Sequence, residues 1–169
     1  MKKIVIISAT SETNFLLAQN ILKFLNNHNV HIEILNIENY KLPLFNPSTI
    51  ENDKKKCANK IKKITDAMLC SNGIIICAPE YNGNVPPVLS NAIAWISVTT
   101  SYWKDGFKNK NFFIASSSGG DAEKFQQSMQ LQLEHLGANV FEKKIIINSS
   151  NKSINIDQKN DLKDFLKLL

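Results

Sequence analysis

The strongest constraint on the fold is an alternation of short β-branched runs with longer segments of helical periodicity. Residues 3–8 read Lys-Ile-Val-Ile-Ile-Ser and residues 73–78 read Gly-Ile-Ile-Ile-Cys-Ala. Runs this short, without polar alternation, bury both faces, as central strands do in a parallel sheet covered by helices on both sides. Between them, Leu17, Ala18, Ile21, Leu22 and Leu25 recur at helical spacing from residue 14 until the Asn-rich stretch 26–29. Residues 31–37 alternate as a strand, with Ile32, Ile34 and Leu35 available to the sheet. A loop with Pro43 and Pro47 follows. Cys57, Ile61, Ile64 and Met68 then mark the apolar stripe of a second helix, whose other side carries Lys54, Lys55, Lys56, Lys60, Lys62 and Lys63, a solvated face or, as the alternative, a docking face for a nucleotide phosphate or acidic partner.

The pattern repeats to the end of the chain. A third helix runs through Leu89, Ile93 and Ile96, and a loop over 98–109 holds Tyr102, Trp103 and Phe107. Residues 111–115 read as the fourth strand, 121–136 as the fourth helix with Gly137 as its C-cap, 140–147 as a fifth strand interrupted at 142–144, and 156–169 as a last helix. Five strands alternating with five helices predict a doubly wound α/β sheet in the flavodoxin-like order 2-1-3-4-5. With 169 residues, 43% of them hydrophobic, one core is expected and the chain reads as a single domain over 1–169.

Charge and cysteine usage narrow the function. The net charge is +5, yet all 20 basic residues are Lys. Arg is the side chain of choice for bidentate phosphate and guanine contacts, so nucleic-acid recognition is disfavoured. Cys57, Cys70 and Cys77 are odd in number and lack ligand spacing, which predicts buried reduced thiols rather than a disulfide framework or a metal site. The first apolar run is too short for a signal peptide and no later stretch is long enough to span a membrane, so a cytoplasmic protein without membrane partners is expected.

Ligands of doubly wound sheets bind beyond the carboxyl ends of the strands, where the strand order reverses. Three loops fall there. The first, 8–14, places hydroxyls at Ser8, Thr10, Ser11 and Thr13 and an amide at Asn14 between a buried strand and a helix start, a setting that favours a phosphate; Ser11 or Thr13 could equally cap the helix. It matches neither the dinucleotide fingerprint nor a Walker loop. The second holds Pro79, Glu80, Tyr81, Asn82 and Gly83, continuing to Pro86. Its prolines and glycine fix the backbone while Tyr81 offers a flat face to a planar ligand. The third, Ser116, Ser117, Ser118, Gly119 and Gly120, allows close backbone approach. A mononucleotide with a large planar ring fits the combination.

Pro79-Glu80-Tyr81-Asn82, then Val85-Pro86 and Leu89-Ser90-Asn91-Ala92-Ile93-Ala94-Trp95-Ile96-Ser97, resembles the P-E-Y-N-x-x-x-P-x-x-L-K-N-A-I-D-W-x-S signature of the NAD(P)H-dependent FMN reductases. That family belongs to the flavodoxin-like superfamily and includes quinone, azo-dye and chromate reductases. Leu42-Pro43-Leu44-Phe45-Asn46-Pro47 is similar to its L-P-L-F/Y-N-P loop. The resemblance covers nearly the whole chain. It implies an oxidoreductase that is an FMN flavoprotein, with the phosphate on 8–14, the ring against Pro79 to Gly83 and Ser116 to Gly120, and NADPH or NADH as co-substrate. Electrons would pass to a quinone, free flavin or other small acceptor. The flavin carries the redox chemistry, so no protein acid, base or metal is required.

The first loop lacks the family's glycine and arginine, and Ser8-x-Thr10-x-x-Thr13 is similar instead to the phosphate loop of flavodoxins. Two further readings follow from these departures: a flavodoxin-type electron carrier, and a flavin-less binding protein. The basic balance and the P-E-Y-N loop count against the carrier. Ser90 and Ala94 stand where the family has Lys and Asp on this helix, so a homodimer is expected, with a tetramer left open. Tyr102 and Trp103 are candidates to cover the open flavin face or the neighbouring subunit's site, or to pack in the core or an interface.

Overall fold

A computed structural model describes residues 1–169. Its strands are β1 (Lys2–Ser8), β2 (Val30–Asn36), β3 (Gly73–Cys77), β4 (Asn111–Ser117) and β5 (Asn139–Ile147), and its helices α1 (Thr13–Leu25), α2 (Ile50–Leu69), α3 (Pro87–Thr99), α4 (Glu123–His135) and α5 (Ile156–Leu168). All neighbouring strands pair in parallel, in the order β2-β1-β3-β4-β5. The sheet is therefore flavodoxin-like.

The continuous apolar runs are buried on both faces because each strand feeds two separate cores. Val5, Ile7, Ile74, Ile76, Phe112 and Ile114 face α2, α3 and α4, packing on Ile64, Met68, Leu89, Ile93, Phe125 and Met129. Ile4, Ile6, Ile75, Cys77, Phe113 and Ala115 face α1 and α5, packing on Leu17, Ile21, Leu25, Leu162 and Phe165. Gly137 has φ +85° immediately after α4, where its missing Cβ lets the chain reverse into β5.

One element differs from the sequence expectation. β4 extends two residues beyond Ala115, because Ser116 and Ser117 keep pairing with Ile146 and Ile147, so two serines read as loop belong to a strand. α2 begins seven residues before its first buried stripe residue, Cys57, because its opening turns are polar. The expected interruption of the fifth strand is a bulge: the register passes from Phe112↔Val140 to Ile114↔Lys144. It falls on an edge strand, where irregularity and charge discourage pairing with another chain.

Candidate functional site

β1, β3 and β4 end on the same side of the sheet, and the loops that follow them meet there. Between β1 and α1, the buried Ser8 donates its hydroxyl to the Thr10 carbonyl at 2.8 Å. Ser8 therefore shapes the loop from beneath and does not line the pocket above it. No side chain caps α1, which leaves its first-turn N–H groups at the pocket's edge. Asn14, fully buried, ties the first loop to the third: its Nδ2 donates to the Ser117 carbonyl and its Oδ1 accepts from the Ser117 N–H, both at 2.8 Å.

The second loop is a hairpin turn. Tyr81 and Asn84 exchange N–H···O bonds of 3.1 and 3.0 Å, and Asn82 and Gly83 between them have φ of +51° and +67°. These are the left-handed values of a two-residue type I′ turn, which explains the Asn-Gly pair and makes the loop rigid. Asn82 and Gly83 lie outside the pocket wall, while Tyr81, 49% exposed, stands in it. Glu80 joins this loop to the third one. Its N–H donates to Ser118 Oγ at 2.7 Å, and its carboxylate accepts from the Phe125 N–H at 3.0 Å. That carboxylate caps α4, whose own N-cap position is Ala122 at φ +51°.

Ser116 is buried with its Oγ 3.3 Å from Ser118 Oγ, below the pocket floor. A Cβ added at Gly119 or Gly120 would meet nothing within 4 Å. The chain's own packing does not require glycine at either position, and Gly119 leaves room on the pocket side.

These loops enclose a cavity of about 860 Å³, within the size range of ligand clefts. Ten of the residues singled out from sequence line it: Thr10, Ser11, Thr13, Asn14, Pro79, Glu80, Tyr81, Ser117, Ser118 and Gly119. Four more, Glu12, Glu38, Asn39 and Lys41, were not singled out. The last three come from the 3₁₀ turn Ile37–Tyr40 and the residue after it. A signal existed in the strand order, since β2 pairs with β1 and the loop after it must open at the same end.

The electrostatics of the cavity are unlike those of the whole chain. Three carboxylates, Glu12, Glu38 and Glu80, share its wall with one ammonium, Lys41. Glu38 Oε2 accepts the Ser11 N–H at 2.7 Å. The Ser11 hydroxyl and then that N–H hold the Glu38 carboxyl below the ordinary carboxylate value. Asn36 steadies the same loop by donating to Ser11 Oγ at 3.0 Å, while its own Oδ1 is buried without a partner.

The loop 42–47 is fastened to α3. Asn91 accepts the Phe45 N–H at 2.7 Å and donates to the Pro43 carbonyl at 3.0 Å. Buried Trp95 donates to the same carbonyl at 2.7 Å and meets Phe45 edge-on at 5.4 Å. The Asn and Trp of the α3 motif are thus loop anchors.

Tyr102 and Trp103 lie at the opposite end of the sheet, in the connection that enters β4 at its amino end. Trp103 packs 5.7 Å from His135 at the close of α4, with Lys104 Nζ over its ring. They cannot cover the cavity of their own chain. Cys57 and Cys77 are buried, and burial raises both thiols above their ordinary pKa. Cys70, against expectation, is exposed, because it caps α2 at its solvent-facing end. None of the three lines the cavity.

With this geometry in hand, the family model described as NADPH-dependent FMN reductase matches residues 1–152. The chain belongs to that family. Membership makes it an oxidoreductase of the FMN- and NAD(P)H-using class. A curated relative, the NADH:(hydroxy)cinnamate reductase subunit CrdA of Vibrio ruber, is 31% identical over 74 residues, which are 44% of this chain and 35% of that protein. The chain thus matches only about a third of that relative's length.

Solved structures share the fold of this FMN reductase family member. The NAD(P)H:(acceptor) oxidoreductase FerB of Paracoccus denitrificans superposes with a TM-score of 0.79 at 19% identity, covering 99% of this chain and 97% of that one. An FMN-dependent NADH-azoreductase of Bacillus anthracis, solved with FMN, gives 0.64 at 17% identity over 98% and 97% of the two chains. No helix is long and apolar enough to cross a membrane.

Proposed function

We propose that the chain binds FMN in the 860 Å³ cavity and oxidises NAD(P)H, passing the electrons to a quinone, a free flavin or another small acceptor. The observation that carries this reading is the convergence of the three sequence-marked loops on one cavity at the carboxyl ends of β1, β3 and β4. The residues fit the cofactor in donor chemistry and space. An uncapped helix N-terminus with the hydroxyls of Thr10, Ser11 and Thr13 suits a phosphate. A rigid Tyr81 hairpin opposite an open Gly119 suits a planar ring.

The chemistry supplied by bound FMN is acceptance of hydride from NAD(P)H and delivery of electrons to the acceptor. The chain's part is binding and orientation. Thr10 and Thr13 would donate to the phosphate, Ser11 would do so in competition with its bonds to Glu38, and Pro79, Tyr81, Ser118 and Gly119 would flank the ring. Ser8, Asn14, Glu80, Ser116 and Ser117 hold those loops in register through the bonds described above, and Asn82 and Gly83 form the turn that presents Tyr81. No protein proton donor is needed for hydride transfer.

We further propose that residues 1–169 act as one FMN-binding unit, in the cytoplasm, and as a homodimer. The dimer follows the family resemblance and is supported by Leu44, 80% exposed on the anchored 42–47 loop, which a second subunit could cover. Light scattering tests it.

The function is tested by titrating FMN into the purified protein and following NADH and NADPH oxidation with added quinone, azo dye or free flavin. Saturable FMN binding with acceptor-dependent oxidation is expected. A protein that binds no FMN refutes the reading, and FMN binding without nicotinamide oxidation would make it an electron carrier.

A further inference from the structure

The wall contributed by the turn after β2 carries an anion where the flavin phosphate is expected. Glu38 is the second residue of the 3₁₀ turn Ile37–Tyr40, which starts where β2 ends. The final pair of the β1–β2 ladder is Ser8↔Asn36, so this turn rises directly beside the 8–14 loop. Its carboxylate is 2.7 Å from the Ser11 nitrogen, the short range of a charge-assisted bond. No ion pair neutralises it: the three ion pairs of the chain are Lys56–Asp53, Lys62–Asp66 and Lys167–Asp164, all on α2 or α5. Glu12 and Glu80 add negative charge to the same cavity, and Lys41 is the one cation there.

Resting on the FMN reading, we propose that Glu38 is a specificity-determining residue of the flavin site, an internal anion that competes with the flavin phosphate for the Ser11 N–H. One N–H cannot serve a carboxylate and a phosphate at full strength, and two anions within a few ångströms repel even in a solvated cleft. The phosphate therefore adds less affinity than the loop's hydroxyls and amides could provide. The chain tells FMN from riboflavin only weakly, and a neutral residue at position 38 restores the discrimination. The isoalloxazine and ribityl chain are common to both flavins, so the effect is confined to the phosphorylated ligand.

The test compares FMN and riboflavin dissociation constants, by quenching of flavin fluorescence, for the wild type, Glu38→Gln and Glu38→Ala. Gln keeps an acceptor for the Ser11 N–H, so the loop is preserved, but a neutral and weaker one that yields the N–H to a phosphate and does not repel it, while Ala removes the acceptor and should raise the FMN preference at least as much. About a tenfold rise in FMN affinity with riboflavin unchanged is expected for Glu38→Gln, the scale of one charge pair in a solvated site. Inorganic phosphate provides a flavin-free readout: it should raise the melting temperature of Glu38→Gln more than that of the wild type. A purely structural role for Glu38 would move both flavins together. An unchanged or reduced ratio of riboflavin to FMN dissociation constants overturns the proposal while leaving the FMN reading intact. Failure of every variant to bind either flavin overturns both.

Discussion

Asn14 carries the join between the two loops that the cofactor must bridge, and its removal gives the sharpest test of the site's construction. In Asn14→Leu the side chain keeps a similar volume but loses both 2.8 Å bonds to Ser117. That leaves the Ser117 N–H and carbonyl without partners beside a fully buried side chain. Each unsatisfied backbone group costs about 1–3 kcal/mol, and water entering from the cavity relieves part of it, so a total of about 2–4 kcal/mol is expected. In urea, with a slope of about 1–3 kcal/mol/M, this moves the unfolding midpoint down by roughly 1–2 M. Asn14→Ala should cost at least as much, since it adds a cavity to the same loss. FMN affinity should fall at least about tenfold in both, because the 8–14 loop and the end of β4 are no longer held in register. A Leu variant within about 0.5 kcal/mol of the wild type would refute the reasoning, since burial alone would then account for Asn14.

Three other outcomes are expected. Tyr81→Ala should weaken FMN binding by about 0.5–1.5 kcal/mol, the worth of an aromatic face, and shift riboflavin equally by flavin titration, because the ring is common to both ligands. Trp95→Phe removes the 2.7 Å bond to Pro43 from a buried site and should lower stability by about 1–2 kcal/mol in urea unfolding. It should also increase proteolytic cutting at 42–47. The FMN gain of Glu38→Gln should be full above about pH 7, shrink as the flavin phosphate takes up its second-ionisation proton at about pH 6, and close as Glu38 itself protonates below the ordinary carboxylate value of 4.5. The sign follows from the depressed pKa: a carboxyl stabilised in its ionised form stays charged above its ordinary value and loses its charge only below it. Glu12, Glu80 and Lys41 face the same cavity in both proteins, so the comparison isolates position 38.

Much of the site was legible because it rests on local rules. A strand buried on both faces must be continuously apolar, which exposed residues 3–8 and 73–78 as the centre of the sheet and placed the loops after them. Prolines and a glycine restrict the backbone locally, which made 79–86 legible as a rigid turn, while the left-handed Asn82-Gly83 pair that closes it came from the structure. Tyr102 and Trp103 were misplaced although the topology speaks to them: in an all-parallel sheet a loop that follows a helix leads into the next strand's amino end, opposite the cavity. Their packing on His135 fixes the far end. Ser116 and Ser117 looked like loop because small polar residues seldom signal a strand, yet parallel pairing with Ile146 and Ile147 draws them into one.

By itself, the order of residues determined the doubly wound sheet, the three loops at its carboxyl end and the kinds of group they present, since each depends on periodicity or backbone preference within a few residues. Only the tertiary structure decided what the polar side chains do there. Asn14 bonds a partner 103 positions away, and Glu80 caps a helix 45 positions on. Glu38 reaches Ser11 across 27 residues because β2 lies beside β1. Hydrogen bonds and charge repulsion act through space, so a carboxylate read as one of 15 scattered acids becomes, once the sheet is assembled, an anion in the loop built to receive one.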